Sequence, residues 1–444
     1  MQDKNKKVIT RFAPSPTGFP HLGTAMYAIL NYLYAHQNNG KVLMRSEDTD
    51  PVRSKPEYEK AIIDGLAWLG IKADEFYRQT DRIEIYKKYI AKMIEDGTAY
   101  ISPDTNEKGE TRDVVRFKNP NKIITFNDCS RGDISVDTTE LKDFIIARDI
   151  NSPLYHLTVV VDDHETGVTH IIRGEDGIAN TPRQILIQEA IGAKRPVYAH
   201  YPFIILPNRT KMGKRNGAKS LGDYIESGYL PEAIVNFIIL MAWHPKDDRE
   251  LFTIPDLIKE FELERIGKSG AILDEKKLDW INKEHMKLMS EDERNKEIGD
   301  RLNKLGLDKI SEKVYPIIFD HISKWGDIDT MAGAGELDYY FNPPQYDANL
   351  LYWKSTPAQE ETKKHLTFIL ETLKNVEENY FSNPDKIKEL IFDYATNNGR
   401  GQVLWPLRVA LSGREKSPDP FTLCYILGKK EVLLRLDNAI KKLS

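Results

Sequence analysis

His21 and Gly23 lie where a loop rich in proline and glycine meets an apolar-periodic run. A strand-like run at residues 8–12 precedes the loop, and the periodicity behind it predicts a helix over residues 24–36. The two residues would therefore lie at a helix N-terminus, where unpaired backbone N–H groups favour anions. Gly23 would let a base or phosphate approach the backbone, and His21 could donate a hydrogen bond to a phosphate oxygen. This arrangement indicates a nucleotide site. An ordinary turn with a solvated histidine is an equal alternative, since neither common phosphate-loop spacing is present.

A basic loop further along the chain is a second candidate for phosphate contact. Lys211, Lys214 and Arg215 lie within five residues, beside Met212 and Gly213. Lysine ammonium groups over a triphosphate would offset the charge that builds on a departing pyrophosphate. A solvated basic loop is the commoner origin of such a run, so these residues alone leave the choice open.

Charged residues also follow two of the predicted strands. Glu47 comes after the run at residues 41–45 and could hold an ammonium group. Arg173 ends the run at residues 168–173, and its planar guanidinium suits bidentate capture of a carboxylate. Because ligands of open α/β sheets bind at the carboxyl ends of the strands, both residues are candidates for a ligand crevice. Helix capping in a polar loop is the alternative for Glu47.

Metal and disulfide chemistry are not favoured. Asp162, Asp163 and His164 resemble a metal-binding cluster, but adjacent residues of one element point apart. Structural or substrate-orienting roles are therefore preferred for them. Cys129 and Cys424 are the only cysteines and form no CxxC pair. We expect neither a disulfide framework nor a cysteine zinc site.

Strand and helix signals alternate along the first part of the chain, which predicts a parallel sheet with crossover helices. The strands are predicted over residues 7–12, 41–45, 143–148, 168–173 and 197–206, and the helices over residues 24–36, 56–69, 81–95 and 181–191. Short strand-like pieces at residues 113–117, 122–126 and 131–136 interrupt this alternation. They predict a small insertion between two halves of the α/β domain.

The second half of the chain reads as all-α. From about residue 221 the signals are almost wholly helical. Helices are predicted over residues 231–242, 255–261, 291–305 and 357–378. The stretch 326–335, rich in glycine and aspartate, is the one segment expected to be loosely ordered.

The composition is that of a soluble globular protein. Its 444 residues predict two or more domains, about three. No apolar run approaches the ~20 residues that span a bilayer, and the polar N-terminus carries no signal region. We therefore expect a cytoplasmic protein. The net charge of −5 gives no sign of a nucleic-acid partner, which would need a local basic surface.

Taken together, these motifs resemble those of the bacterial-type glutamyl-tRNA synthetases, which belong to class I of the aminoacyl-tRNA synthetases. Residues 20–23, Pro-His-Leu-Gly, resemble the HIGH motif, and residues 211–215, Lys-Met-Gly-Lys-Arg, resemble the KMSKS loop. Further similar stretches are residues 11–18, 45–50, 155–157, 160–164, 172–176, 180–184, 228–233, 401–403 and 406–413. The similarity covers nearly the whole chain.

The resemblance implies an α/β fold: a Rossmann-like, parallel-sheet catalytic domain with a small α+β insertion, followed by an all-α C-terminal half. The first half of the catalytic domain would occupy residues 1–80, and an inserted domain for the tRNA acceptor end residues 81–142. The second half, with the KMSKS-like loop, would occupy residues 143–220. A helical stem-contact domain over residues 221–290 and an anticodon-binding region over residues 291–444 would follow. The absence of a heptad run mildly favours a monomer.

The resemblance also implies a site for glutamate. Arg11 and Arg173 would hold the two carboxylates, with Ser15 and Tyr155 hydrogen-bonding nearby, and Glu47 would take the α-ammonium group. A substrate with two carboxylates and an ammonium group needs cationic and anionic partners together.

The implied ATP site uses the two motifs described above. The residues that would face ATP are His21, Gly23, Asp176, Lys211, Met212, Gly213, Lys214 and Arg215. His21, Lys211 and Lys214 would be catalytic. A glutamate carboxylate would attack the α-phosphate to give glutamyl-adenylate and pyrophosphate, and the terminal ribose of tRNA(Glu) would then take the glutamyl group. Positioning and charge stabilisation would carry both steps, with Mg²⁺ accompanying ATP.

Some features depart from the family pattern. Gly213 replaces the usual serine of the KMSKS loop, and Gly177 stands where bulkier residues are common. Residues 100–114 lack the cysteines with which some relatives bind zinc, so we expect no zinc. The alternatives are a tRNA-modifying relative, a glutaminyl enzyme, a form that also charges tRNA(Gln), and a non-catalytic tRNA-binding regulator. A long helical C-terminal half disfavours the first two.

Overall fold

The chain forms two compact units, Met1–Leu288 and Met289–Ser444. The computed structural model describes residues 7–105, 109–210, 212, 219–355 and 358–444. Within these ranges no helix combines the length and the apolarity needed to cross a membrane.

The first unit alternates strands and helices, and each strand and helix predicted for it is present. Its strands are β1 (Ile9–Phe12), β2 (Lys41–Ser46), β3 (Glu75–Arg78), β4 (Ala99–Thr105), β5 (Thr111–Phe117), β6 (Ile123–Asp128), β7 (Gly132–Asp137), β8 (Phe144–Ala147), β9 (His170–Gly174) and β10 (Val197–Tyr201). Its helices are α1 (Leu22–Gln37), α2 (Pro56–Trp68), α3 (Ile83–Glu95), α4 (Tyr155–Glu165), α5 (Thr181–Ala190), α6 (Leu221–Glu226), α7 (Pro231–Ala242), α8 (Ile254–Glu260) and α9 (Glu275–Leu288).

Parallel strands form the centre of this unit. β1, β2 and β3 pair in that order, all parallel. On the other side of β1, the backbone N–H of Thr169 donates to the Ile9 carbonyl at 2.9 Å and brings β9 alongside. β9 pairs in parallel with β10, and β10 with β6. The carboxyl ends of these strands therefore share one edge, and the predicted Rossmann-like α/β architecture is confirmed.

Two strands pair with different partners from those predicted from the sequence. β8, expected to resume the parallel sheet, pairs antiparallel with β5, which also pairs with β4. β6, assigned to the insertion, joins the parallel strands beside β10 and carries β7 as its hairpin partner. The pattern of apolar residues in a short strand indicates which side chains are buried, but it does not indicate which strand pairs with it. This explains both errors. β4 was missed because Ala99–Thr105 contains serine, proline and aspartate, which are uncommon in strands.

Helix α1 is held in the core along most of its length. Leu22, Ile29 and Leu33 are fully buried, in one cluster with Ile234 and Ile238 of α7. Burial of each aliphatic side chain contributes about 1.5–3 kcal/mol. The N-terminus of α1 is therefore a rigid platform at the edge of the sheet.

The second unit is all-α in the residues described, as predicted. Its helices are α10 (Glu291–Lys304), α11 (Tyr315–His321), α12 (Asp327–Gly333), α13 (Gln359–Lys374), α14 (Pro384–Asn397), α15 (Arg400–Ser412) and α16 (Pro420–Lys442). The predicted start of α13 at residue 357 lies outside the described residues.

The expectation of loose order at residues 326–335 is wrong, because α12 occupies most of that stretch. Ile328 is fully buried. A carboxylate oxygen of Asp327 accepts the backbone N–H groups of Ser323 at 2.7 Å and Lys324 at 3.1 Å. Packing and the hydrogen bonds from Asp327 to the preceding turn thus override the weak helix propensity of a glycine- and aspartate-rich stretch.

Candidate active site

A cavity of about 710 Å³ opens at the carboxyl edge of the parallel strands, beside the N-terminus of α1. All the candidate residues that the structure describes line it: Arg11, Ser15, His21, Gly23, Glu47, Tyr155, Arg173, Asp176 and Met212. Lys211, Gly213, Lys214 and Arg215 lie outside the described residues. The cavity joins residues that are up to two hundred positions apart in sequence, while their individual roles stay predictions.

The N-terminus of α1 has the geometry expected of an anion site. His21 is the N-cap residue, so α1 begins two positions before the predicted start, and His21 Nδ1 accepts the backbone N–H of Gly23 at 3.1 Å. The proton of the neutral ring must then be on Nε2. A Cβ at Gly23 would approach His21 Cε1 to 2.9 Å, so a larger residue there would displace the ring. Met212, whose backbone N–H donates to the Ile204 carbonyl at 2.9 Å, packs against this end of the helix.

Backbone hydrogen bonds hold the proline-rich loop to neighbouring elements. The N–H of Glu47 donates to the Pro14 carbonyl at 2.9 Å, and the N–H of Lys55 donates to the Pro16 carbonyl at 3.0 Å. Ser15 lies exposed between them. The loop therefore fixes the spacing between the end of β2 and the helix N-terminus.

A buried ionic network underlies one wall of the cavity. Arg11 Nε donates to both carboxylate oxygens of Asp163, at 3.2 and 3.3 Å. Arg45 NH1 donates to the same carboxylate at 2.7 Å, and its NH2 donates to Glu47 at 3.0 Å. Arg11 NH1 donates to the Tyr27 hydroxyl at 2.9 Å. The orientation of Arg11 and Glu47 thus depends on Asp163 and Arg45.

Burial and charge act in opposite directions within this network. Burial alone would raise the pKa of Asp163, but the guanidinium groups of Arg11 and Arg45 outweigh it and hold that pKa below its usual range. Burial raises the pKa of Glu47 despite the opposing effect of Arg45. A ligand ammonium group would stabilise the charged form of Glu47.

Asp162, the preceding residue of α4, is held by a second set of side chains. Its carboxylate accepts hydrogen bonds from Gln79 at 2.9 Å, Arg82 Nε at 2.6 Å and the Tyr86 hydroxyl at 2.9 Å. Arg45 Nε also lies 3.8 Å from Asp162 Oδ2, so the two aspartates share Arg45 as a neighbour, and both bind side chains of the chain itself. No metal-binding cluster of histidine, cysteine or carboxylate groups occurs within the described residues.

Arg173 is more constrained than the sequence suggested. Its Nε donates to His200 Nε2 at 3.1 Å and its NH1 to Gln184 at 2.8 Å. Its NH2 donates to the Gly177 carbonyl at 2.9 Å and to the Thr181 hydroxyl at 2.8 Å. Four of the five N–H groups thus have acceptors inside the protein. The bidentate capture expected of Arg173 would require it to give up one of these bonds.

Gly177 makes this conformation of Arg173 accessible. A Cβ at this position would lie 2.2 Å from Arg173 Nε and 2.6 Å from its Cδ. The departure from the family pattern at Gly177 therefore bears directly on how Arg173 faces the cavity.

Several cavity residues were not found by sequence reasoning. Tyr27, Arg45, Asn180, Tyr201 and Phe203 also line the cavity. Arg45 could have been found, because an arginine inside an apolar strand must have a buried partner. Nothing in the local pattern of the other four separates them from ordinary core or loop residues.

The sequence matches two family descriptions. Residues 7–113 and 104–280 match the catalytic domain of the class I tRNA synthetases for E and Q, and residues 300–440 match an anticodon binding domain. The chain accordingly has the catalytic and anticodon-binding domains of a class I aminoacyl-tRNA synthetase.

Individual relatives identify the family within that class. The glutamate–tRNA ligase of Francisella tularensis subsp. novicida is 38% identical over 98% of this chain and 99% of its own length. That of Aquifex aeolicus is 36% identical over 99% of this chain and 100% of its own length. The chain belongs to the glutamate–tRNA ligase family, as predicted, and is a ligase.

Solved structures agree with this assignment. A glutamate tRNA ligase from Elizabethkingia meningosepticum, crystallised in complex with its amino acid, has a TM-score of 0.88 and 30% identity over 99% of this chain and 100% of that chain. The glutamate–tRNA synthetase of Elizabethkingia anophelis has a TM-score of 0.85 and 29% identity, covering 98% of this chain and 100% of that chain. Both the catalytic and the anticodon-binding parts are present, which argues against the tRNA-modifying alternative.

Proposed function

We propose that the chain activates L-glutamate with ATP as glutamyl-adenylate and transfers the glutamyl group to the 3′ end of tRNA(Glu). The observation that carries this proposal is the single cavity in which Arg11, Arg173 and Glu47 lie beside the His21 and Gly23 end of α1. Cationic and anionic partners for glutamate and an anion site for ATP thus open into one space.

The charges of the cavity suit glutamate. Arg11 uses Nε on Asp163 and one NH1 hydrogen on Tyr27, so the rest of its guanidinium can meet a carboxylate. Arg173 would meet the second carboxylate, with Ser15 and Tyr155 near the substrate. Glu47, oriented by Arg45, would take the α-ammonium group.

ATP would lie across the N-terminus of α1. His21 Nε2–H and the backbone beside Gly23 would face phosphate oxygens, and Asp176 would face the ribose or base. Lys211 and Lys214, with Met212, Gly213 and Arg215, would cover the phosphates. Mg²⁺ would be carried by the phosphates of ATP.

The chemistry needs no nucleophile from the protein. A substrate carboxylate oxygen forms a bond to the α-phosphorus, and the bond to pyrophosphate breaks. A ribose hydroxyl of the tRNA then attacks the acyl carbon, and AMP leaves. The side chains hold the reacting groups in line and offset the charge that builds on pyrophosphate.

The proposed division of the chain follows this chemistry. Residues 1–80 and 143–220 would form the catalytic domain, and residues 81–142 would contact the acceptor end. Residues 221–290 would contact the stem and residues 291–444 the anticodon.

Two assays test the proposal. Purified protein receives ATP, radiolabelled glutamate and tRNA pools that lack either the glutamate or the glutamine acceptor. Charging of the glutamate acceptor alone is the expected result, charging of both would show a non-discriminating enzyme, and no charging would refute the proposal. The adenylate is tested by exchange of labelled pyrophosphate into ATP with tRNA present, which must depend on glutamate.

A further inference from the structure

A chain of three buried side chains crosses adjacent strands behind the cavity. Asp128 ends β6, His200 lies on β10 and Arg173 lies on β9, where His200 and Arg173 are register partners. His200 Nδ1 and Asp128 Oδ2 are 2.7 Å apart, and both side chains are fully buried. His200 Nε2 is 3.1 Å from Arg173 Nε.

The chemistry of Arg173 fixes the tautomer of His200. A guanidinium N–H can only donate, so His200 Nε2 must be the acceptor. The ring proton is then on Nδ1 and is donated to Asp128. Burial lowers the pKa of His200, and the positive charge of Arg173 acts in the same direction against the hydrogen bond to Asp128. His200 is therefore the neutral ring that this arrangement requires.

Asp128 is itself held in one orientation. Its Oδ1 accepts the backbone N–H of Ser130 at 3.0 Å, the Ser130 hydroxyl at 2.8 Å and the backbone N–H of Arg131 at 3.0 Å. Its Oδ2 is thereby directed to His200. Each of the three side chains thus orients the next one, from the turn after β6 to the cavity wall.

We propose that Asp128 and His200 are positioning residues that orient Arg173 toward the substrate glutamate through the Nδ1–H tautomer of His200. This inference rests on the proposed role of Arg173 in holding a substrate carboxylate. Neither Asp128 nor His200 lines the cavity within the described residues, so neither touches the substrate itself.

The substitution Asp128→Asn tests the tautomer with almost no change of volume. The three donors that hold Oδ1 keep the amide oxygen in place, so the amide nitrogen faces His200. Nδ1 must then accept, the ring proton moves to Nε2, and two donors oppose each other at Arg173 Nε. We expect the KM for glutamate to rise about tenfold or more, the effect of losing one hydrogen bond to a charged group. The KM values for ATP and tRNA should stay within about twofold.

Controls separate positioning from general stability. His170→Gln removes a different buried histidine, which lies on β9, contacts Tyr34 and does not line the cavity. It should lower the melting temperature without changing the KM for glutamate. Should Asp128→Asn not fold, His200→Gln and His200→Leu replace it. Glutamine keeps an acceptor for Arg173 and leucine does not, so the KM should rise far more for leucine.

The double variant Asp128→Asn/Arg173→Met separates the positioning role of Asp128 from the proposed carboxylate contact of Arg173. If the inference holds, Arg173→Met raises the KM for glutamate and adding Asp128→Asn raises it no further. A normal glutamate KM for Asp128→Asn, beside a raised one for Arg173→Met, would overturn the positioning role alone. Equal rises in the KM for glutamate and ATP would assign Asp128 a purely structural role. An unchanged KM for Arg173→Met would overturn the proposed carboxylate contact and the inference with it.

Discussion

Replacing Asp163 by asparagine should destabilise the first unit and weaken glutamate binding together. Asp163 is the common partner of Arg11 and Arg45, and the three side chains are 6%, 2% and 0% exposed. Asparagine removes the negative charge and turns one acceptor oxygen into a donor. Two buried guanidinium groups would then face an uncharged amide.

The expected cost follows from the bonds that are lost. Asp163 accepts from Arg11 and from Arg45, and a hydrogen bond between charged groups contributes about 1.5–3 kcal/mol. Two such bonds give about 3–6 kcal/mol, which agrees with the ~3–5 kcal/mol cost of removing one partner from a buried ion pair. With a urea m-value of about 3 kcal/mol/M, a loss of ~3–5 kcal/mol lowers the unfolding midpoint by about 1–1.7 M.

Urea unfolding at pH 7, followed by far-ultraviolet circular dichroism, measures this shift. Because the chain has two units, the transition of the first unit is identified in the unsubstituted protein as the one whose midpoint rises when glutamate is added, and the variants are then compared without glutamate. Glu84→Gln is the matched control, since Glu84 pairs with Lys87 at an 80% exposed position. It should leave the midpoint unchanged. A shift below about 0.3 M for Asp163→Asn would show that the arginines do not depend on this carboxylate.

Three further outcomes are expected. The destabilisation by Asp163→Asn should shrink below about pH 4. The pKa of Asp163 is lower in the folded protein than in the unfolded chain, so its carboxylate stabilises the fold above the unfolded pKa, and this stabilisation is lost as the pH falls through the folded pKa. A difference in stability that stays constant down to about pH 2 would contradict this. Gly177→Ala should raise the KM for glutamate and leave that for ATP unchanged, since its Cβ would lie 2.2 Å from Arg173 Nε; steady-state charging kinetics check this. Elemental analysis of the purified protein should find no stoichiometric zinc, and a chelator that spares Mg²⁺ should not reduce charging.

Elements that begin with a strong local signal could be predicted from sequence. α7 begins at Pro231 and α2 at Pro56, because proline at the first helical position loses no hydrogen bond. The helix that follows His21, α1, was predicted because its apolar residues recur at helical spacing. The partners of β6 and β8 could not be predicted, since pairing depends on residues far along the chain.

The same limit applies to the site. The residues at the strand ends were found because the carboxyl edge of a parallel sheet is a known ligand position. Their supports were missed: Asp163 lies 118 positions from Arg45, and His200 lies 72 positions from Asp128. A charge within an apolar run signals that a buried partner exists, but it does not say which residue that partner is.

The charges of the cavity wall set Arg173 apart from the other arginines there. Arg11, Arg45 and Arg82 are balanced by three carboxylates, those of Glu47, Asp162 and Asp163, so that part of the wall is neutral before substrate arrives. The four acceptors of Arg173 are all uncharged: an imidazole, an amide, a backbone carbonyl and a hydroxyl. Its positive charge is therefore held in place without being neutralised by them. Glutamate carries one net negative charge and glutamine none, so in the proposed role of Arg173 this charge would favour glutamate.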